Sequence, residues 1–243
     1  MIEGRNALIT GASSGIGRET AYKLAEQGAD VALASRSQDQ LEEIASTIHE
    51  KYNQDAAVIP TDVTERDQVE EVVETAASKL GGLDIVVSNA GVGLGGDVEE
   101  IDDGDYQTTM GVNCDGMFYT ARAALPHLKQ SEGNLIFLGS IAGQYPRAAN
   151  PVYAATKWWT RGFALSLSAQ IGDENVAVTV IKPSEVRTGF AGQDGDPFRD
   201  RFQEGEVTEP EDVARAIVTA ADTESPNTLN EIDIYRRDKL CDL

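Results

Sequence analysis

With 243 residues, 41% of them apolar, the chain is long enough for one large core and is no disordered acidic tail. Its 41 acidic residues against 20 basic ones give a formal net charge of −21, spread through stretches such as QLEEIAST, VTERDQVEEVVE and VEEIDDGDY. This excludes nucleic acid as a partner, since phosphate binding needs basic clusters, and it predicts self-repulsion relieved by salt, as in a halophilic cytoplasm.

In chain order, short apolar runs alternate with amphipathic stretches. The strand candidates are NALIT, DVALAS, AAVIP, DIVVSN, NLIFLG, VAVTVIK and NEIDIY. Between them lie helical patterns at 15–28, 39–51, 65–80, 105–129, 151–172 and 210–222. Buried strands joined by crossover helices predict α/β architecture: one domain over residues 1–243, with a doubly wound Rossmann-type sheet of about seven parallel strands. The stretch 188–210, rich in Gly, Asp and charge, interrupts the pattern and is expected to be a mobile substrate-binding loop. No run approaches the ~18 apolar residues of a membrane span, and MIEGRNALIT lacks a signal-peptide core, so a cytoplasmic protein with no membrane partner is expected. Cys114, Cys241, His49 and His127 show neither disulfide nor metal-ligand spacing, and no metal is expected.

The first strand runs into TGASSGIG, which places Gly11, Gly15 and Gly17 in a G-x-x-x-G-x-G turn, with Ser13, Ser14 and Ile16 between them. Glycines there permit a tight turn and let backbone approach a pyrophosphate at the helix N-terminus. The second strand ends in Ser35, Arg36 and Ser37, with no acid to take a ribose 2′-hydroxyl. Arg36 suits the 2′-phosphate of NADP (NADPH), with the serines as added donors; a solvated surface arginine is the alternative.

Further motifs follow in order: DVT at 62–64, NAG at 89–91, VNCDG at 112–116, GSIAG at 139–143, YAATK at 153–157 and KPSEVRT at 182–188. With TGASSGIG they make the chain resemble the short-chain dehydrogenase/reductase family along almost its whole length. The resemblance implies that Asp62 and Val63 meet the adenine, that Asn89, Ala90 and Gly91 run along the cofactor, and that Pro183, Ser184, Val186 and Thr188 flank the nicotinamide. It implies a catalytic set of Asn113, Ser140, Tyr153 and Lys157, the last two also touching the cofactor. In such a site Tyr153 exchanges a proton with the substrate oxygen, Ser140 donates a hydrogen bond to it and Asn113 holds a water. A phenol with its ordinary pKa near ~10 is a poor base at neutrality, so the Lys157 charge one helical turn on is expected to favour the phenolate.

The resemblance implies an NADP-dependent oxidoreductase acting on a secondary alcohol or ketone, either a hydroxy acid or a simple carbonyl. The alternatives are a 3-oxoacyl thioester reductase, disfavoured by the scarcity of bases to meet an acidic carrier, and a non-catalytic NADP-binding redox sensor. The family favours homodimers and homotetramers. Pro183-Ser184 departs from the family's usual Pro-Gly, which puts the local backbone and the substrate side of the pocket in question. Glu185 is expected at the surface, or else reaching the pocket; Tyr145 and Arg147 fall where the family lines its cleft. Arg147 pairs with an acidic substrate or is merely solvated. Of Trp158 and Trp159, one is expected to pack inward and the other at a subunit contact; Cys114 and Met117 are read as packing.

Overall fold

The computed structural model describes residues 1–190 and 196–242. Residues 191–195 of the expected substrate loop lie outside the described residues.

Seven strands form one parallel sheet in the order β3-β2-β1-β4-β5-β6-β7: β1 (Asn6–Thr10), β2 (Asp30–Ser35), β3 (Ala56–Pro60), β4 (Ile85–Ser88), β5 (Asn134–Leu138), β6 (Ala177–Pro183) and β7 (Glu231–Ile234). Alternate residues of the central strands feed two separate cores. Ile9, Leu33 and Val87 face α1 (Gly15–Glu26), α2 (Gln38–Tyr52) and α8 (Pro210–Ala221). Leu8, Val86, Leu135 and Phe137 face α3 (Arg66–Leu80), α5 (Gly116–Ser131) and α6 (Pro151–Ile171). Both sheet faces are covered, which is why these strands read as unbroken apolar runs.

The expected helix at 105–129 is not one helix. It divides into α4 (Asp103–Met110), a π-helical turn (Gly111–Asp115) and α5. Gly111 opens the π turn and Gly116 follows it, and a Cβ on Gly116 would lie 3.0 Å from the Val63 carbonyl oxygen. Periodicity cannot reveal this wide turn, which holds Asn113. One short helix, α7 (Phe198–Arg201), lies within the stretch read as loop.

The order of strands reverses between β1 and β4. At such a switch point open α/β sheets form a ligand crevice outside the carboxyl ends of the strands, and here the first glycine turn follows β1 and the NAG segment follows β4.

Candidate active site

Thr10, the last residue of β1, organises one wall of the crevice. Its Oγ1 accepts from the amides of Asn89 (3.0 Å) and Ala90 (3.1 Å). In return Asn89 Nδ2 donates to the carbonyls of Thr10 (2.9 Å) and Gly11 (3.2 Å). Gly11 and Gly15 have φ of +65° and +52°, and a Cβ on Gly17 would sit 2.3 Å from the Gly11 carbonyl oxygen. The turn therefore closes only without side chains at these positions. It delivers α1 with no side-chain cap from Ser14 and no acid in its first turn. Open amides and a bare backbone cradle fit a pyrophosphate. Ile16 packs on the core beneath, and Gly15 faces Thr188, whose Cγ2 would be 3.2 Å from an added Cβ.

At the end of β2, Ser35 is buried and its Oγ accepts from the Ser37 amide at 3.2 Å. Arg36 projects into solvent and forms no ion pair among the described residues. The neighbouring strand end carries Asp62, whose Oδ1 accepts from the Thr64 amide (3.0 Å) and hydroxyl (2.8 Å), while Val63 is buried.

The other wall gathers the expected catalytic set. Asn113 is fully buried, and its side chain is spent on the protein: Oδ1 accepts from the Val92 amide (2.9 Å), and Nδ2 donates to the Val92 carbonyl (2.9 Å) and Thr156 Oγ1 (3.1 Å). Thr156 donates to the Tyr153 carbonyl at 2.7 Å, so the π turn is tied to the helix bearing Tyr153 and Lys157. Ser140 follows β5 and accepts from the Ala142 amide at 3.1 Å. The turn after it lies so close to α6 that a Cβ on Gly143 would be 2.4 Å from the Lys157 carbonyl oxygen. Helix α6 begins at Asn150-Pro151, with Asn150 Oδ1 accepting from the Tyr153 amide (3.2 Å) and Pro151 in the first turn. Asn150 Nδ2 also donates to Gly93 (3.1 Å), pinning the segment after Gly91 to the helix start. Thr10, Asn150 and Thr156 escaped the sequence reading; only Asn150 carried a local signal, as a cap before proline.

Lys157 Nζ donates to the Leu138 carbonyl at 2.9 Å and lies 5.7 Å from the centre of the Tyr153 ring. Burial pulls its pKa down to about 8. Burial raises the Tyr153 phenol, with Ser140 and the charge of Arg147 opposing that rise. Burial dominates at the phenol, and the groups that oppose it are Ser140 and Arg147. Cys114 is buried with its thiol pushed up to about 11, chiefly by burial, which fits packing. Met117 is buried too.

Pro183, the last residue of β6, is buried, and the Ser184 amide after it donates to the Ile234 carbonyl at 2.9 Å. Glu185 is partly buried and pairs with Lys239 of the carboxyl-terminal turn. Burial would raise its carboxyl, but Lys239, its own amide and Arg236 hold it below the ordinary value. Val186 bridges to Thr208, and Thr188 Oγ1 accepts from the Phe190 amide at 3.2 Å. Trp159 stacks on Phe163 at 4.8 Å, whereas Trp158 is exposed. Among the described residues no helix is long and apolar enough to cross a membrane.

The family model of short chain dehydrogenases matches residues 5–197. An uncharacterised oxidoreductase of Staphylococcus aureus strain MRSA252 is 34% identical over 229 residues, covering 94% of this chain and 95% of that protein. The structure is similar to an alcohol dehydrogenase of the archaeon Thermococcus sibiricus complexed with 5-hydroxy-NADP (27% identity, TM-score 0.88, 95% of this chain and 96% of that one). It is also similar to a 3-ketoacyl-(acyl-carrier-protein) reductase of Brucella melitensis complexed with NADH (28% identity, TM-score 0.86, 97% and 98%). A glycine cradle at the switch point, a Tyr and Lys on one helix turn beside a serine, and a match over most of the chain lead to one conclusion: the protein belongs to the short-chain dehydrogenase/reductase family of oxidoreductases.

Proposed function

We propose that the protein is an NADP-dependent oxidoreductase that interconverts a secondary alcohol and its ketone. The observation that carries this reading is the convergence of Ser140, Tyr153 and Lys157 on the crevice bordered by the glycine cradle. Gly11 to Gly17 and the open first turn of α1 would hold the pyrophosphate, Asp62 and Val63 the adenine, Asn89 to Gly91 the dinucleotide's length, and Pro183 to Thr188 the nicotinamide side. When bound, the nicotinamide supplies a hydride to the carbonyl carbon, or accepts one from the carbinol carbon in reverse.

The chain's own residues handle the proton. Ser140 donates to the substrate oxygen and holds it against the phenol. Tyr153, kept protonated by its burial, gives its proton to the developing alkoxide in reduction and takes it back in oxidation. Lys157 holds the nicotinamide ribose and supports the proton's return path. Because the Asn113 amide is spent on Val92 and Thr156, a water in that path would meet its main chain.

Preference for NADP over NAD rests on Arg36, exposed and without an ion pair among the described residues, in an acidic chain with no carboxylate at the end of β2. The neighbours reported above include both cofactors, so the residue and not the likeness supports this step. The segment 188–210 is read as the substrate loop, and the protein as a homodimer or homotetramer.

The test is direct. NADPH should bind the purified protein in KCl, and ketone-dependent oxidation should follow. Tyr153→Phe should lower kcat about 10²–10⁴-fold with NADPH affinity retained, because only the proton route is removed. Unchanged turnover in that variant would refute the assignment, and tight binding without turnover of any carbonyl would favour a redox sensor.

A further inference from the structure

Phe190, Phe198 and Phe202 are half of the chain's six phenylalanines, yet they belong to neither apolar core and remain partly exposed. They stand in a row that starts at the catalytic phenol. Ring centres are 5.7 Å apart from Tyr153 to Phe190, 6.0 Å from Phe190 to Phe198 and 6.1 Å from Phe198 to Phe202.

The row is held by backbone. The Phe198 amide donates to the Phe190 carbonyl and the Arg199 amide to the Thr188 carbonyl, both at 3.0 Å. Below these bonds the segment is closed by the Val186–Thr208 bridge and by Arg187, whose Nε meets Glu209 at 2.8 Å. At the outer end the Arg201 guanidinium lies over Phe198 (5.7 Å) and Phe202 (5.8 Å).

Rings left partly in water forgo much of the stabilisation that burial would bring. On a surface so rich in carboxylate, an apolar row adjoining a reactive group fits a ligand that supplies the missing apolar area. We propose that Phe190, Phe198 and Phe202 form the substrate wall, and that the preferred substrate carries an aryl or bulky branched apolar group on its carbinol carbon. A carboxylate-bearing substrate has no use for such a wall and would have to rely on Arg147. The inference rests on the oxidoreductase reading above and goes further by choosing among carbonyl substrates.

The experiment compares kcat/KM for acetophenone, acetone and pyruvate with NADPH, in the wild type and in Phe190→Ala, Phe190→Leu and Phe198→Ala. Alongside, ligand-observed NMR measures acetophenone binding to each protein in the presence of NADP+. The acetophenone-to-acetone ratio should fall about tenfold or more in Phe190→Ala, by the scale on which apolar pockets discriminate, and should be partly restored in Phe190→Leu. Phe198→Ala should lower the same ratio by less. If both ketones lose equally, so that the ratio stays constant, Phe190 merely supports Tyr153 and the wall is refuted. A wild type that prefers pyruvate, and loses it in Arg147→Ala, also refutes the wall while leaving the oxidoreductase reading standing. If no carbonyl is turned over, that reading fails and the NMR decides alone. Acetophenone bound by the wild type and lost in Phe190→Ala supports the wall; no binding overturns it.

Discussion

Lys157 sits where its own charge is disfavoured. It is almost fully buried, its ammonium has one carbonyl partner, and its pKa falls to about 8 from an ordinary 10.5. The folded value lies below the unfolded one, so between these values the unfolded chain binds more protons. Stability therefore rises with pH across that window, and the penalty is fully present below it. Between pH 7.5 and pH 10 the wild type should gain about 2–3 kcal/mol relative to Lys157→Met, read from urea unfolding at each pH. Parallel profiles would show that the lysine keeps its charge without cost. The spacing of Tyr153 and Lys157 was legible in the sequence because one helical turn relates them. The lowering of its pKa was not, since Leu138 and Gly143, which crowd the lysine, come from β5 and the turn after it. Arg36 is the opposite case, because the phosphate contact proposed for it rests on local chemistry at the end of β2. Arg36→Asp should exchange attraction for repulsion at a 2′-phosphate and shift the kcat/KM ratio from NADPH toward NADH by about tenfold or more. An unchanged ratio would show that another group reads the phosphate.

At the scale of elements, the strands and most helices could be read from apolar periodicity, whereas the features that fix the site could not. The π turn around Asn113 depends on Gly116 pressing against Val63 from another segment. The Glu185–Lys239 pair joins the connection after β6 to the carboxyl-terminal turn, 54 residues on. Pro183-Ser184 raised a question about the backbone there, and the structure answers with main-chain and ionic ties: Ser184 to Ile234 of β7, and Glu185 to Lys239. The carboxyl-terminal turn thereby positions the segment that runs on to Thr188. Lys239→Met should strip a largely buried carboxylate of its ammonium partner, leaving only its own amide and Arg236, and cost on the order of 2 kcal/mol, with KM for NADPH rising more than kcat falls. Adding Glu185→Met should restore most of the stability, because the cost lies in the orphaned charge. Failure of the second substitution to recover stability would mean that Lys239 acts through packing of its stem alone.

For the whole molecule, two electrostatic effects oppose one another. Salt weakens attractive pairs such as Lys23–Glu26 and Arg66–Glu70, but exposed pairs of this kind are worth less than about 1 kcal/mol each. It also screens the repulsion among 41 acids that 20 bases cannot neutralise, and that imbalance acts over the entire surface. The second effect should win. The thermal midpoint should climb as KCl is raised from dilute buffer toward 1 M, over which range the screening length contracts to about 3 Å. Assembly should follow the same direction with greater force. On α5, Phe118 (39% exposed) lies 6.1 Å from Phe163 of the Trp159–Phe163 stack, and on α6 Trp158 is 46% exposed; these two helices are where contact with a second copy is expected. Pairing two chains of charge −21 brings like fields together, so low salt should favour the monomer and high salt the dimer or tetramer. Sedimentation velocity in dilute buffer and in 1 M KCl reads this directly, and Trp158→Glu should hold the protein monomeric even in salt. An assembly indifferent to KCl would place the interface on a face where the negative charge is already compensated.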